Sequence, residues 1–285
     1  MKRNRIITRL VSILFIPGLV LHFTGTVNAA DNDLKDVRLS ALVEYGFVAV
    51  LDHRIQFGKD GDYFDYRADG AQDVLFPALR LSAELTLKNR HTFVVLYQPL
   101  RLETEARLDQ NLRVDILDFA AETPMHFLYD FPFYRFSYLY DFISGTTTEL
   151  AAGLTLQIRN ATIRFASLNG ELLRDNRDIG LVPALKFRWT HRMSHLVWVG
   201  AEADGIYAPV SYLNGSDEEI VGAILDASLR AGTFVFNNKG RVFANFRYLG
   251  GGAVGTNTDD QGPGDGYVKN WLHFLIVSLG ASYEL

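Results

Sequence analysis

An all-β fold, an antiparallel up-and-down barrel of about ten strands that spans a membrane, is the architecture predicted by this 285-residue sequence. Apolar residues alternate at period two through almost the whole chain after residue 30, as strands with two unlike faces require. The connections between these runs alternate between short and long, the asymmetry of barrels that cross a membrane. No stretch beyond residue 30 is apolar enough for a helical span of about 20 residues, so a spanning form has to be a closed barrel.

The chain begins with Lys2, Arg3, Arg5 and Arg9, continues through the apolar run 10–21, and reaches Val27-Asn28-Ala29-Ala30 just before Asp31. A basic stretch, a short apolar stretch and small residues in that order are the pattern of a secretory signal, so residues 1–30 are expected to be cleaved and 31–285 to form one barrel domain. Pro17 and Gly18 interrupt the apolar run and argue against a membrane anchor. There is no cysteine, which excludes both disulfides and a lipid-bearing cysteine after the signal. Loss of residues 1–30 removes four basic residues and no acidic one, moving the formal net charge from -5 to -9. So acidic a chain is a poor partner for nucleic acid.

Taken in order, the alternating runs predict strands over 36–52, 74–88, 91–105, 126–141, 148–166, 181–190, 195–210, 219–236, 241–249 and 271–285. In the second, Leu75, Leu79, Leu81 and Leu85 share one face while Arg80, Ser82 and Glu84 share the other. In the fourth, the aromatic row changes parity around Phe131-Pro132-Phe133, and since proline has no N–H for the ladder a bulge is expected there. A second register shift is expected at Asn160, between the row Leu154, Leu156, Ile158 and the row Ala161, Ile163, Phe165. The connections at 88–90, 142–147, 191–194 and 237–240 are short. Those at 53–73, 106–125, 167–180 and 250–270 are long, and 211–218 is intermediate. With an even strand number, all short turns fall on the side of the two termini. Aromatic residues gather near the strand ends: Tyr45, Phe47, Tyr207, Tyr248 and Trp271 toward the long loops, Trp189 and Tyr283 toward the short turns.

The last eight residues, Ser278-Leu279-Gly280-Ala281-Ser282-Tyr283-Glu284-Leu285, resemble the C-terminal assembly signal of bacterial outer-membrane barrels. Ser278, Gly280, Tyr283 and Leu285 fall on its polar, glycine, aromatic and terminal positions, with Leu285 where phenylalanine is commoner. The resemblance implies an outer-membrane location, recognition by the barrel-assembly machinery, and pairing of this strand with the first to close the cylinder. It also implies that lipid and lipopolysaccharide are the surrounding partners. It covers these eight residues and the general architecture, and oligomeric state is not legible.

Charged residues on the second face are expected to line the lumen, because a basic residue facing lipid at the midplane costs about 2–4 kcal/mol. The candidates are Arg38, Glu44, Arg80, Glu84, Arg135, Arg159, Arg164, Lys186, Arg188, Glu202, Asp204, Asp226, Arg230 and Arg247. Such a set fits a structural, salt-bridged interior or a narrow pore whose basic excess would favour anions. A rim-sited hydrolase is the alternative, motivated by His53 and Asp52, which barrel closure would bring near His273. A soluble periplasmic β-barrel or sandwich is the further one, and it would turn the leucine row inward. No cofactor motif or metal site is legible. The acidic clusters Asp60, Asp62, Asp65, Asp69 and Asp259, Asp260, Asp265 read as solvated mobile loops, and Gly250-Gly251-Gly252 as a flexible strand exit.

Overall fold

The computed structural model describes residues 37–209, 220–256 and 264–285. The expected signal segment 1–30, the connection 211–218, and Asp259 and Asp260 lie outside the described residues. The elements are β1 (Val37–Phe57), β2 (Phe64–Asp65), β3 (Leu75–Leu87), β4 (His91–Gln98), β5 (Arg101–Arg107), β6 (Leu112–Val114), β7 (Leu117–Phe119), β8 (Pro124–Asp130), β9 (Phe133–Ser144), β10 (Thr148–Ser167), β11 (Leu173–Arg192), β12 (Val197–Pro209), β13 (Val221–Val235), β14 (Gly240–Thr256) and β15 (Tyr267–Glu284). No helix among the described residues is long and apolar enough to cross a membrane.

Ten staves form the wall, since β4 with β5 and β8 with β9 are single staves broken at 99–100 and 131–132. Every neighbouring pair around the wall is antiparallel, and β1 closes the cylinder on β15, from Ser40 opposite Glu284 to Phe57 opposite Val268. In a closed sheet no strand is left as an unpaired edge. Val37 and Leu285, the first and last described residues, therefore lie on the side of the short turns, as the even stave number requires.

One face of every stave is apolar and outward. Phe47, Leu75, Val95, Phe136, Leu154, Leu185, Val197, Leu229, Phe246 and Leu279, one from each stave, are 44–71% exposed. The charged residues Glu44, Arg80, Arg135, Lys186, Glu202, Asp204, Asp226 and Arg247 are at most 8% exposed. The leucine row of β3 faces out, with Phe76, Ala78 and Arg80 turned in. A soluble fold would arrange its faces the other way.

Toward the long-loop end the polarity inverts. The inward row becomes Val48, Val50, Ile55 and Phe57 on β1, Phe127 and Tyr129 on β8, Ile163 and Phe165 on β10, and Leu272, Phe274 and Ile276 on β15, all in one core. The outward row there carries Arg54, Arg101, Glu103, Glu105, Arg107 and Arg177, all exposed. The 21 residues of β1 extend about 70 Å at about 3.3 Å per residue. Tilted by about 45°, such a stave stands about 50 Å tall, twice the apolar band of about 25 Å.

This inversion corrects two sequence expectations. Arg159 faces Phe133 and Ile163 faces Tyr129 without any slip between them, so the ladder passes both Asn160 and Pro132 in constant register. Phe131-Pro132 interrupts the hydrogen bonding but inserts no residue. The apolar parity changes there because the interior, not the backbone, changes character. A real bulge sits at Leu51, between the pairs Val50–Phe274 and Asp52–His273. A second lies between Leu150 and Ala151.

Three loop expectations change as well. The 167–180 connection shrinks to 168–172, because β11 begins at Leu173. Gly250-Gly251-Gly252 is interior to β14, where glycine serves close packing: a Cβ on Gly252 would collide with the Asn270 carbonyl of β15. The acidic residues of the first loop are held in place. Asp62 accepts the Arg113 N–H (2.7 Å), and Asp65 accepts those of Arg67 (2.9 Å) and Ala68 (3.1 Å).

Candidate functional site

The lumen has three levels. At mid-height five cations and four carboxylates from seven staves meet in one layer. Asp226 accepts Arg135 Nη1 (2.5 Å) and lies 2.7 Å from Arg247 Nε. Glu202 accepts Arg80 Nη2 and Lys186 Nζ, both at 2.9 Å, with Arg230 at 3.3 Å. Asp204 accepts Lys186 Nζ (2.8 Å) and the Thr155 hydroxyl (2.5 Å). Glu44 accepts Arg230 Nη2 (2.8 Å), Asn245 Nδ2 (2.5 Å) and the Ser278 hydroxyl (3.2 Å). Amides complete the set: Gln157 Oε1 accepts Arg135 Nε at 2.7 Å and Gln98 Oε1 accepts Arg247 Nη1 at 2.8 Å. Isolated charges at this depth would each cost several kcal/mol, so mutual neutralisation is what makes the layer tenable. The charges nearly balance, leaving no large basic excess to select anions.

Above this layer the lumen is filled by the aromatic core and capped by two loops. The β6–β7 hairpin lies over the opening. Asp115 takes its N–H to the Phe57 carbonyl (2.9 Å), and its carboxylate accepts Arg174 Nε (2.7 Å), both side chains being buried. The first loop inserts Tyr66, whose N–H reaches the His53 carbonyl (2.9 Å) and whose ring stacks on the His53 ring at 4.5 Å. Burial pushes the Tyr66 hydroxyl well above the usual tyrosine range.

The three rim candidates do not form one site. His53 is inward and fully buried, edge-on to Tyr129 (4.4 Å) and Phe274 (5.4 Å), with Nδ1 2.8 Å from Gln72 Oε1. Closure does set Asp52 opposite His273 in the ladder, yet Asp52 pairs with Arg54 (3.0 Å) and His273 Nδ1 meets the Tyr248 hydroxyl (2.5 Å). The bulge at Leu51 turns His53 inward, and ordinary alternation then leaves the adjacent Asp52 on the outer side. Sequence reasoning did not find the histidine–carboxylate contact that exists, His126 Nε2 to Glu103 Oε1 at 2.8 Å on the outer face of β8 and β5. The strand parity of 101–107 and 124–130 puts them on one face, with Glu105 directly opposite His126 and Glu103 diagonal to it. Among the described residues no side-chain hydroxyl bonds to His126. No group of three metal-binding side chains occurs among the described residues.

Below the layer lies a polar vestibule that opens among the short turns. A cavity of about 140 Å³ is lined by Arg38, Glu84, Asp141, Glu149, Arg188, Trp198 and Arg241 among others. It runs into a mouth of about 510 Å³ that shares Arg38, Glu149 and Arg241 with it. Arg188 Nη1 donates to Glu84 at 2.8 Å. Arg159 pairs with Asp178 on the inward row, higher on the wall. Arg164, placed inward by the sequence reading, bonds Asp175 (3.2 Å) on the outer row between buried Ile163 and Phe165.

On the closing strand, Leu279 faces out, and Ser278 and Gly280 face in. Gly280 sits beneath the Phe243 ring, and a Cβ there would strike it. Tyr283 packs on Phe236 of the β13–β14 turn, and the Leu285 N–H reaches the Leu39 carbonyl (2.8 Å).

These features define a closed ten-stave barrel with an apolar waist, an ionic lumen and a capped upper end. No protein-family model matches the chain, and no curated protein does. Among solved structures it is similar to the outer membrane protease OmpT from Escherichia coli, at 9% identity and TM-score 0.48 over 87% of this chain and 97% of that one. It is also similar to the transport unit of the autotransporter AIDA-I from Escherichia coli (8%, TM-score 0.39, 90% and 93%) and to the outer membrane protein OprG from Pseudomonas aeruginosa (10%, TM-score 0.32, 86% and 95%).

Proposed function

We propose that this protein is an integral outer-membrane barrel with a sealed lumen, a structural scaffold that holds a capped platform above the lipid, rather than a pore. The observation that carries the reading is the inversion of polarity along the staves. Where the outside is apolar the inside is ionic, and where the outside is charged the inside is an aromatic core. Lipid around the lower part and water around the upper part satisfy both halves, while any uniform solvent penalises one of them. Arg54, Arg101, Arg164 and Arg177 stand on the outer face above the apolar waist, suitably placed for the phosphates of lipopolysaccharide. The packing of Gly280 and Tyr283 supports a role for the final strand in closure during assembly.

The sealed-lumen part rests on two successive blocks, the nine-charge layer and the core with its hairpin cap. The test is planar-bilayer recording on protein refolded in detergent, together with fractionation of cells that express it. Recovery in the outer membrane with no stepwise conductance is expected. Steady unitary currents would replace the scaffold reading with a pore, and recovery in the soluble periplasmic fraction would overturn the membrane reading altogether.

A further inference from the structure

We infer that the vestibule is a binding site for a small zwitterion of the amino-acid or short-peptide class, whose carboxylate is taken by Arg241 and Arg38 and whose ammonium is taken by Glu149 and Asp141. The layer directly above shows what satisfied charges look like in this protein: each of its carboxylates touches two or more donors. The vestibule charges differ. Among the described residues, Arg38 and Arg241 have no carboxylate within 4.0 Å, and Arg38 Nε is buried with no partner. Arg241 is held in position by two rings, Trp198 at 5.3 Å and Phe234 at 5.4 Å, which fix its plane and leave its donors unused. Trp198, 4% exposed, lines the same cavity, and its indole Nε1–H is buried without an acceptor.

These donors face a common space with carboxylates that are equally underused. Asp141 accepts only the Thr92 hydroxyl at 3.2 Å, and Glu149 makes no side-chain bond. Unspent donors and unspent acceptors around one cavity match a ligand that carries both charges. A simple anion would leave the carboxylates unanswered and add to their repulsion. The continuity of cavity and mouth admits an extended ligand, so a dipeptide fits as well as a free amino acid. The binding does not depend on whether the lumen above is sealed.

Two of the three tryptophans, Trp189 and Trp198, line the cavity, so their fluorescence reports occupancy once Trp271 is replaced by phenylalanine. The full mature chain, refolded in detergent micelles and checked by heat-dependent gel mobility, is titrated with the dipeptide Lys-Glu, with glutamate amide-blocked at its amine, and with inorganic phosphate. Isothermal titration of the unsubstituted protein serves as the second measurement. Saturable binding of Lys-Glu is expected, weakened about tenfold or more by Arg241→Gln and by Glu149→Gln, as loss of one charge-assisted contact implies. Phosphate and the blocked glutamate are expected to bind at least about tenfold more weakly than the dipeptide. No saturable signal in either measurement, equal binding of phosphate, or indifference to both substitutions overturns the assignment.

Discussion

Asp226→Asn tests whether the mid-barrel layer is a dry ionic plug. The substitution keeps shape and removes one charge from a side chain 4% exposed. It strips Arg135 and Arg247 of their closest carboxylate, at 2.5 and 2.7 Å, and Arg80 of one at 3.8 Å. What remains is Gln157 and a 3.7 Å approach to Asp204 for Arg135, Gln98 for Arg247, and Glu202 with Glu44 at 4.0 Å for Arg80. Breaking a buried pair by removing one partner costs about 3–5 kcal/mol, because the orphaned charge stays desolvated. Urea unfolding in detergent micelles, followed by tryptophan fluorescence, should therefore show a loss of that size for Asp226→Asn. The double variant Arg135→Met with Asp226→Leu should be more stable than the sum of its two single changes, since Arg135 is then no longer left as a buried orphan, although Arg247 still loses its closest carboxylate. A loss below about 1 kcal/mol, or strict additivity, would mean that water screens these charges as at a surface. The plug would then be an aqueous channel with charged walls.

Further outcomes follow from the same geometry. Replacing Arg80, Arg135 and Asp226 together with alanine should open the layer without opening the barrel, because the aromatic core carried by the staves still blocks the lumen, so conductance should stay absent. Gly280→Val should cost about 1–3 kcal/mol by forcing Phe243 off its site, and Phe243→Leu in the same chain should recover part of that loss. Asp52→Asn and His273→Gln should each leave stability within about 0.5 kcal/mol of the parent, as outer-face polar residues do, whereas a catalytic role would make them matter to activity but not to folding. Asp265 has its carboxyl held below the ordinary range by the N–H of Tyr267 (2.9 Å) and then by that of Lys59 (3.1 Å). Its contribution is fully present above the unfolded value of about 3.9 and fades as pH falls through the lower folded value. The amide shifts of Lys59 and Tyr267 should thus titrate with a midpoint below about 3.9, and Asp265→Asn should abolish the titration.

How much of this could be read from the chain differs between wall and interior. Period-two alternation is a local property, so the row Leu75, Leu79, Leu81, Leu85 and its partner row Arg80, Glu84 are legible one stave at a time. Strand ends were less so: β11 starts eight residues before the expected 181, and β14 runs seven beyond the expected 249. In both stretches the pattern loses its leucine signal above the apolar waist, where outward positions turn polar or become glycine. The parity changes near Pro132 and Asn160 were visible in the sequence, but their cause was not. A backbone slip and a change in what the interior is made of leave the same mark on a single strand.

The sequence by itself determined the fold class, the apolar outer face, the charge of the inner one and the closing strand from Ser278 to Leu285, because each depends only on alternation within a run and on the chemistry of its ends. Tertiary structure alone decided that Asp226 would gather Arg135 from across the barrel and Arg247 from the neighbouring stave, that His53 would sit in an aromatic cage away from Asp52 and His273, and that Arg38 and Arg241, without a carboxylate partner among the described residues, would share one cavity. Those contacts join residues 13 to 221 positions apart, and where they meet is set by the register of every stave around the closed circle. No local pattern carries that sum.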